Sequence, residues 1–110
     1  MLFELSIIPL DKGIALAEYI AKIVAIIEES GLPYKLTAMS TQIEGDWDTV
    51  MPIIKQCHTE MRKHSQRVIT SIKIDDRENA TDRLNGKVAD VKRILKDSVI
   101  LNTPPFPLAN

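Results

Sequence analysis

Apolar and polar side chains alternate from residue 2 to residue 10. Phe3, Leu5 and Ile7 fall on one side and Glu4 and Ser6 on the other, the period of a half-buried strand. Pro9 cannot donate to a strand ladder and marks the end of that strand, with a turn at Asp11-Lys12-Gly13. From Ile14 the repeat lengthens: Leu16, Ile20, Ile23 and Ile27 follow at steps that line one helical face, with Lys22, Glu28 and Glu29 off it. Gly31 suits the left-handed position that closes a helix, and Pro33 stops it resuming. Alternation returns at Tyr34 to Met39, where Tyr34, Leu36 and Ala38 oppose Lys35, Thr37 and Met39. It recurs from Thr41 to Gly45, so the two runs predict a hairpin turning near Ser40.

Asp46 is a suitable N-cap and Asp48 places an acid in the first turn of a second helix, whose stripe is Val50, Ile54, Cys57 and Met61. Pro52 lies early enough in that helix to be tolerated. Arg67 to Ile74 predicts a fourth strand, with Val68, Thr70, Ile72 and Ile74 on one face and Arg67, Ile69, Ser71 and Lys73 on the other. Asp75 to Ala80 is polar loop. Leu84, Val88, Val91 and Leu95 mark a third helix, weakened by Gly86. Pro104, Pro105 and Pro107 make the end of the chain an extended or disordered arm.

The order β-α-β-β-α-β is that of α+β ferredoxin-like folds. Right-handed crossovers place both helices on one face of an antiparallel sheet, and a C-terminal third helix and extended tail follow. The expected organisation is one domain over residues 1–97 and an arm over 98–110. The second sheet face would carry Glu4, Ser6, Lys35, Thr37, Met39, Gln42, Glu44, Arg67, Ile69, Ser71 and Lys73. Such a face is either solvated or covered by a ligand or a partner sheet. The apolar Ile8, Met39 and Ile69 among its polar groups speak for a cover.

Fourteen basic and fifteen acidic residues leave a net charge of −1, without the basic excess that nucleic-acid binding calls for. No run approaches the roughly 20 apolar residues of a membrane-spanning helix, and Met1 to Leu10 lacks the basic flank of a signal peptide. A single cysteine, Cys57, excludes an intrachain disulfide, and a cytoplasmic location is the default. On the apolar stripe, Cys57 reads as a core thiol rather than a nucleophile. His58 and His64 do not share a helical face. Glu60 and His64 do, but two ligands do not make a metal site. The isolated glycines form no phosphate loop. Asp75-Asp76-Arg77-Glu78 reads as a solvated turn with local ion pairs. No nucleophile, base and orienting group come together, so an enzyme is not expected, and no catalytic or metal-binding residue is assigned. The segment Thr41-Gln42-Ile43-Glu44-Gly45-Asp46-Trp47 sets polar groups, a glycine and the only tryptophan where a strand meets a helix. It reads either as a binding segment or as a strand end with an N-cap and a core tryptophan.

Leu5-Ser6-Ile7-Ile8-Pro9-Leu10, Gly31-Leu32 and Thr37-Ala38-Met39-Ser40-Thr41-Gln42-Ile43-Glu44-Gly45 resemble the small thiamine-binding proteins related to YkoF. Arg67-Val68 leading to Ile72-Lys73-Ile74-Asp75-Asp76-Arg77 extends the resemblance, which runs over residues 2 to about 97. It implies a ferredoxin-like subunit that forms homodimers or homotetramers. It also implies binding of thiamine (vitamin B1) or a hydroxymethylpyrimidine-like molecule, without turnover, as carrier, buffer or sensor. Thiamine would then be a ligand and not a catalytic cofactor. Residue by residue, the resemblance implies a pocket at Ser6, Thr41 and Glu44 with Met39 and Arg67 near. Hydroxyls such as Thr37 and a carboxylate such as Glu44 suit a cation bearing an aminopyrimidine. Gly13-Ile14 departs from the serine-rich loop common among relatives. The rival expectation is an oligomeric regulatory or interaction module with no small-molecule ligand.

Overall fold

The structure is a computed structural model and describes residues 1–101. Strand β1 (Leu2–Pro9) is followed by helix α1 (Ala17–Glu29), the hairpin β2 (Tyr34–Leu36) and β3 (Thr41–Glu44), helix α2 (Trp47–Arg62), strand β4 (Val68–Asp75) and helix α3 (Arg83–Leu101). The sheet order is β2-β3-β1-β4 and every pairing is antiparallel, as the ferredoxin-like pattern requires. Helix α3 carries the chain past residue 97. The remainder of the expected arm lies outside the described residues.

Alternation decides the layers. Phe3, Leu5 and Ile7 of β1 and Ile43 of β3 are buried with Ile23 and Ile27 of α1 and Val50, Ile54, Cys57 and Met61 of α2. Each such side chain adds roughly 1.5–3 kcal/mol of burial, so this one cluster holds the sheet and both helices together. The stripes of α1 and α2 are therefore where the periodicity puts them.

Several boundaries differ from expectation. Helix α1 begins at Ala17, because Gly13 takes a positive φ of 72° and Ile14 stands in solvent. Strand β2 stops at Leu36 rather than Met39, because Thr37 and Ser40 close the turn early through two backbone–side-chain bonds and Thr37 N–H donating to Ser40 O. Asp46 has the extended backbone of an N-cap but makes no side-chain cap bond. Trp47 is half-exposed, and its ring lies 6.4 Å from the Phe3 ring between centroids. Gly31 holds the left-handed conformation foreseen for it, with φ 75°. Gly45 serves close packing instead: a Cβ there would lie 2.8 Å from Cγ2 of Val50, so only glycine lets α2 follow β3 so tightly.

Helix α3 forms where its apolar stripe predicts it. Its N-terminus docks on β3 and buries Leu84, but Val88, Val91 and Leu95, together with Ile94, remain about half exposed. The stripe is apolar because of something other than this subunit's core.

Candidate functional site

The sheet is uneven about β1. On the β4 side the pairing runs the full strand, from Leu2↔Asp75 to Pro9↔Val68. On the β3 side it stops at Leu5↔Thr41. Beyond that point the hairpin turn Thr37–Ser40 swings away, and residues 6–9 of β1 have no strand partner on that edge. A strand edge without a partner leaves backbone N–H and C=O groups to be satisfied by something else.

A cavity of about 350 Å³ fills this gap. Its walls are β1 on one side, the hairpin turn on another, and beneath it Leu16 with Ile20 and Ile23 of α1. Ser6, Thr37, Met39 and Thr41, four of the six residues expected to bind ligand, line it together with Ser40. The hydroxyls of Ser6 and Thr41 make no hydrogen bond among the described residues, although Thr41 is only 6% exposed. Those of Thr37 and Ser40 are in use. Thr37 Oγ1 donates to Ser40 O at 2.8 Å and accepts from Ser40 N, while Ser40 Oγ donates to Glu4 Oε2 at 3.2 Å. Met39 is 88% exposed at the mouth, so its thioether can close over an occupant without leaving a packed position.

Glu44 and Arg67 lie elsewhere. Glu44 sits at the far end of β3, opposite Leu2 rather than beside Glu4 and Ser6. Its two carboxylate oxygens accept the backbone N–H groups of Arg83 (2.8 Å) and Leu84 (3.1 Å). It thereby caps the start of α3 from another element, and neither a ligand nor Lys35, Lys73 or Arg67 is needed to satisfy it. Arg67 stands across from Leu10 on the β4 side of β1, where its carbonyl accepts Leu10 N–H.

Other features carry less chemistry. A cavity of about 640 Å³ is an open groove on the outer surface between α1 and α2, walled by Lys22, Ile26, Pro52 and Lys55. Cys57 is fully buried, and desolvation pushes its thiol up to about 11, so it is not a nucleophile. Among the described residues no cluster of three or more histidine, cysteine or acidic side chains is placed to hold a metal. No described helix is long and apolar enough to cross a membrane. The gap in the sheet was not foreseen, although its signal is in the sequence. An eight-residue alternation in β1 faces only four residues, Thr41 to Glu44, across the hairpin.

The family model described as thiamine-binding protein matches residues 3–92. A UPF0045 protein of Methanocaldococcus jannaschii, MJ1052, is 33% identical over 77% of this chain and 85% of its own length. One from Mycobacterium bovis is 35% identical over 86% of this chain and 94% of its own. The solved structure of the Methanocaldococcus protein superposes with a TM-score of 0.78 at 31% identity, covering 83% of this chain and 94% of that one. A proposed thiamine biosynthesis/salvage protein from Thermotoga maritima shares the fold, with a TM-score of 0.72 at 20% identity over 82% of this chain and 96% of that one.

Proposed function

This chain belongs to the thiamine-binding protein family, and from that premise we propose that it binds thiamine or a hydroxymethylpyrimidine-like part of it in the β1–β3 cavity. It does so without turnover, as a carrier, buffer or sensor in the cytoplasm. The ligand is cargo or signal and not a catalytic cofactor.

One observation carries this reading: the cavity opens where β1 loses its strand partner, beside two hydroxyls that have no partner of their own. An aminopyrimidine presents donors and acceptors along one ring edge. It can complete the interrupted ladder while its faces rest on Leu16, Ile20 and Ile23. Glu4, held by Ser40 beside the cavity, adds an acceptor for the amino group of such a ring.

Calorimetry with thiamine and with hydroxymethylpyrimidine is the test. Both should bind, and Ser6→Ala and Thr41→Val should each weaken binding by about 1 kcal/mol, the net worth of one hydrogen bond, with the fold intact. Full affinity in both well-folded variants would remove the cavity from the reading. The rival, an interaction module without a ligand, is favoured by the exposed apolar face of α3. It predicts no heat with either compound.

A further inference from the structure

The β1–β3 cavity does not end at the hairpin turn. A second hollow of about 500 Å³ adjoins it, and the two share Ile20, Leu36 and Thr37 as common walls. The outer hollow runs along α1 past the edge strand β2, over Ala17, Ala21 and Val24, to Glu28. This explains a feature of α1 that the core leaves unused. Besides Ile23 and Ile27, which are buried, the helix carries a second line of small and apolar residues at positions 17, 20, 21 and 24. The stripe lets a flat group approach the helix closely.

The two lobes differ in chemistry. The inner one has the Ser6 and Thr41 hydroxyls and the unpaired edge of β1. The outer one has alkyl walls and a single charged side chain, Glu28, whose carboxylate forms no ion pair among the described residues. Among the described residues, no lysine, arginine or histidine lines either lobe. Beside Ser40, Glu4 accepts its hydroxyl and stands across the β1–β4 ladder from Lys73. The basic side chains Arg77, Arg83 and Lys87 gather around Asp75, which pairs with Leu2 at the opposite end of β1.

We propose that the joined lobes form one elongated groove that selects an unphosphorylated ligand with a cationic outer half, and that Glu28 is its distal specificity-determining residue. The inference rests on the thiamine reading and extends it. The hydrogen-bonding ring takes the inner lobe, and the cationic ring with its hydroxyalkyl arm takes the outer lobe toward Glu28. A phosphate on that arm would bring negative charge toward Glu28 in a groove whose described walls offer it no cationic partner.

Calorimetry on the intact protein with thiamine, thiamine monophosphate and hydroxymethylpyrimidine tests this, using wild type, Glu28→Gln and Glu28→Lys. Glu28 is exposed, so both variants should keep the wild-type melting temperature. Thiamine should bind wild type about tenfold or more tightly than its monophosphate. Glu28→Gln should weaken thiamine about two- to fivefold, the range of an exposed charge pair, and leave hydroxymethylpyrimidine unchanged. Glu28→Lys should narrow the gap between thiamine and its phosphate. Equal binding of the two by wild type, or thiamine affinity indifferent to both substitutions, overturns the inference while the thiamine reading stands. Failure of both thiamine and hydroxymethylpyrimidine to bind overturns the reading and the groove assignment with it.

Discussion

Glu44 shows how a residue's surroundings decide its work. A carboxylate on the face of the sheet away from α1 and α2 suits a cationic ligand, and here it meets the free N–H groups of a helix start before any ligand does. Both oxygens are engaged, so Glu44→Ala should remove a cap contact worth about 1 kcal/mol. The expected readout is a lower melting temperature and faster amide exchange at Leu84 and the residues after it, with thiamine affinity unchanged. Weaker binding in a variant that keeps its melting temperature would return Glu44 to the ligand site. Cys57 illustrates the opposite case, a residue whose role could be read directly. Its place between Ile54 and Met61 on a stripe with Val50 predicts burial, and it is fully buried, with Sγ 3.7 Å from the Ile23 carbonyl. A thiol raised to about 11 stays protonated at neutral pH. A thiol-specific reagent should therefore label Cys57 only as fast as the protein opens, and labelling should accelerate with denaturant. Rapid modification of the native protein would show the α1–α2 contact to be open.

Between elements, much rests on loops that periodicity does not reach. Asp11, in the β1–α1 loop, accepts the Ser65 hydroxyl and the backbone N–H of Gln66 at 2.9 Å, tying that loop to the one between α2 and β4. The hydrogen bond from Ser65, then that from Gln66, holds its carboxyl below the usual 3.8. A depressed folded-state value means the tie contributes fully above that unfolded value and is lost as pH falls through the lower folded one. Asp11→Asn should therefore flatten the acid limb of the stability–pH curve below about pH 4, with little change in its slope near neutrality. An unchanged acid limb would show that the tie plays no part. The strands and the two core helices were legible because each buries one face against the same cluster, which imposes a period of two or of 3.6 on the sequence. Boundaries were less legible where local bonds override periodicity: Thr37 and Ser40 cut β2 short, and a positive φ at Gly13 delays α1. The candidate site was half legible. Ser6, Thr37, Met39 and Thr41 do meet in one cavity, because alternation and the hairpin bring them together. Glu44 and Arg67 do not join them. Register separates Glu44, which faces Leu2, and sheet order separates Arg67, on the far side of β1.

For the molecule as a whole, the apolar stripe of α3 is the outstanding question. Val88, Val91, Ile94 and Leu95 are each about half exposed, and on the open sheet face Ile8 and Ile69 are similarly exposed and cross-strand partners. A helix normally turns such a stripe toward a core, and this subunit's core lies on the other face of the sheet. Exposed apolar side chains grouped on one helix face and one sheet face mark surfaces that a partner covers. A second copy of the chain, related by a two-fold axis, would cover both surfaces at once. The expected state is a dimer or a dimer of dimers, checked by light scattering at micromolar concentration. A species of only 12.4 kDa would defeat it. Val91→Asp combined with Leu95→Asp should dissociate the assembly, because a buried interface does not tolerate unpaired carboxylates. Ile8 adds a consequence for function: it lies on the open face and also lines the β1–β3 cavity. If the partner covers Ile8, it also walls the cavity, so ligand and partner stabilise each other by linkage. Thiamine should then shift the dissociation midpoint to lower protein concentration, and the double aspartate variant should bind thiamine more weakly while keeping its own fold. A midpoint indifferent to saturating thiamine would place the interface away from the cavity, on α3 alone.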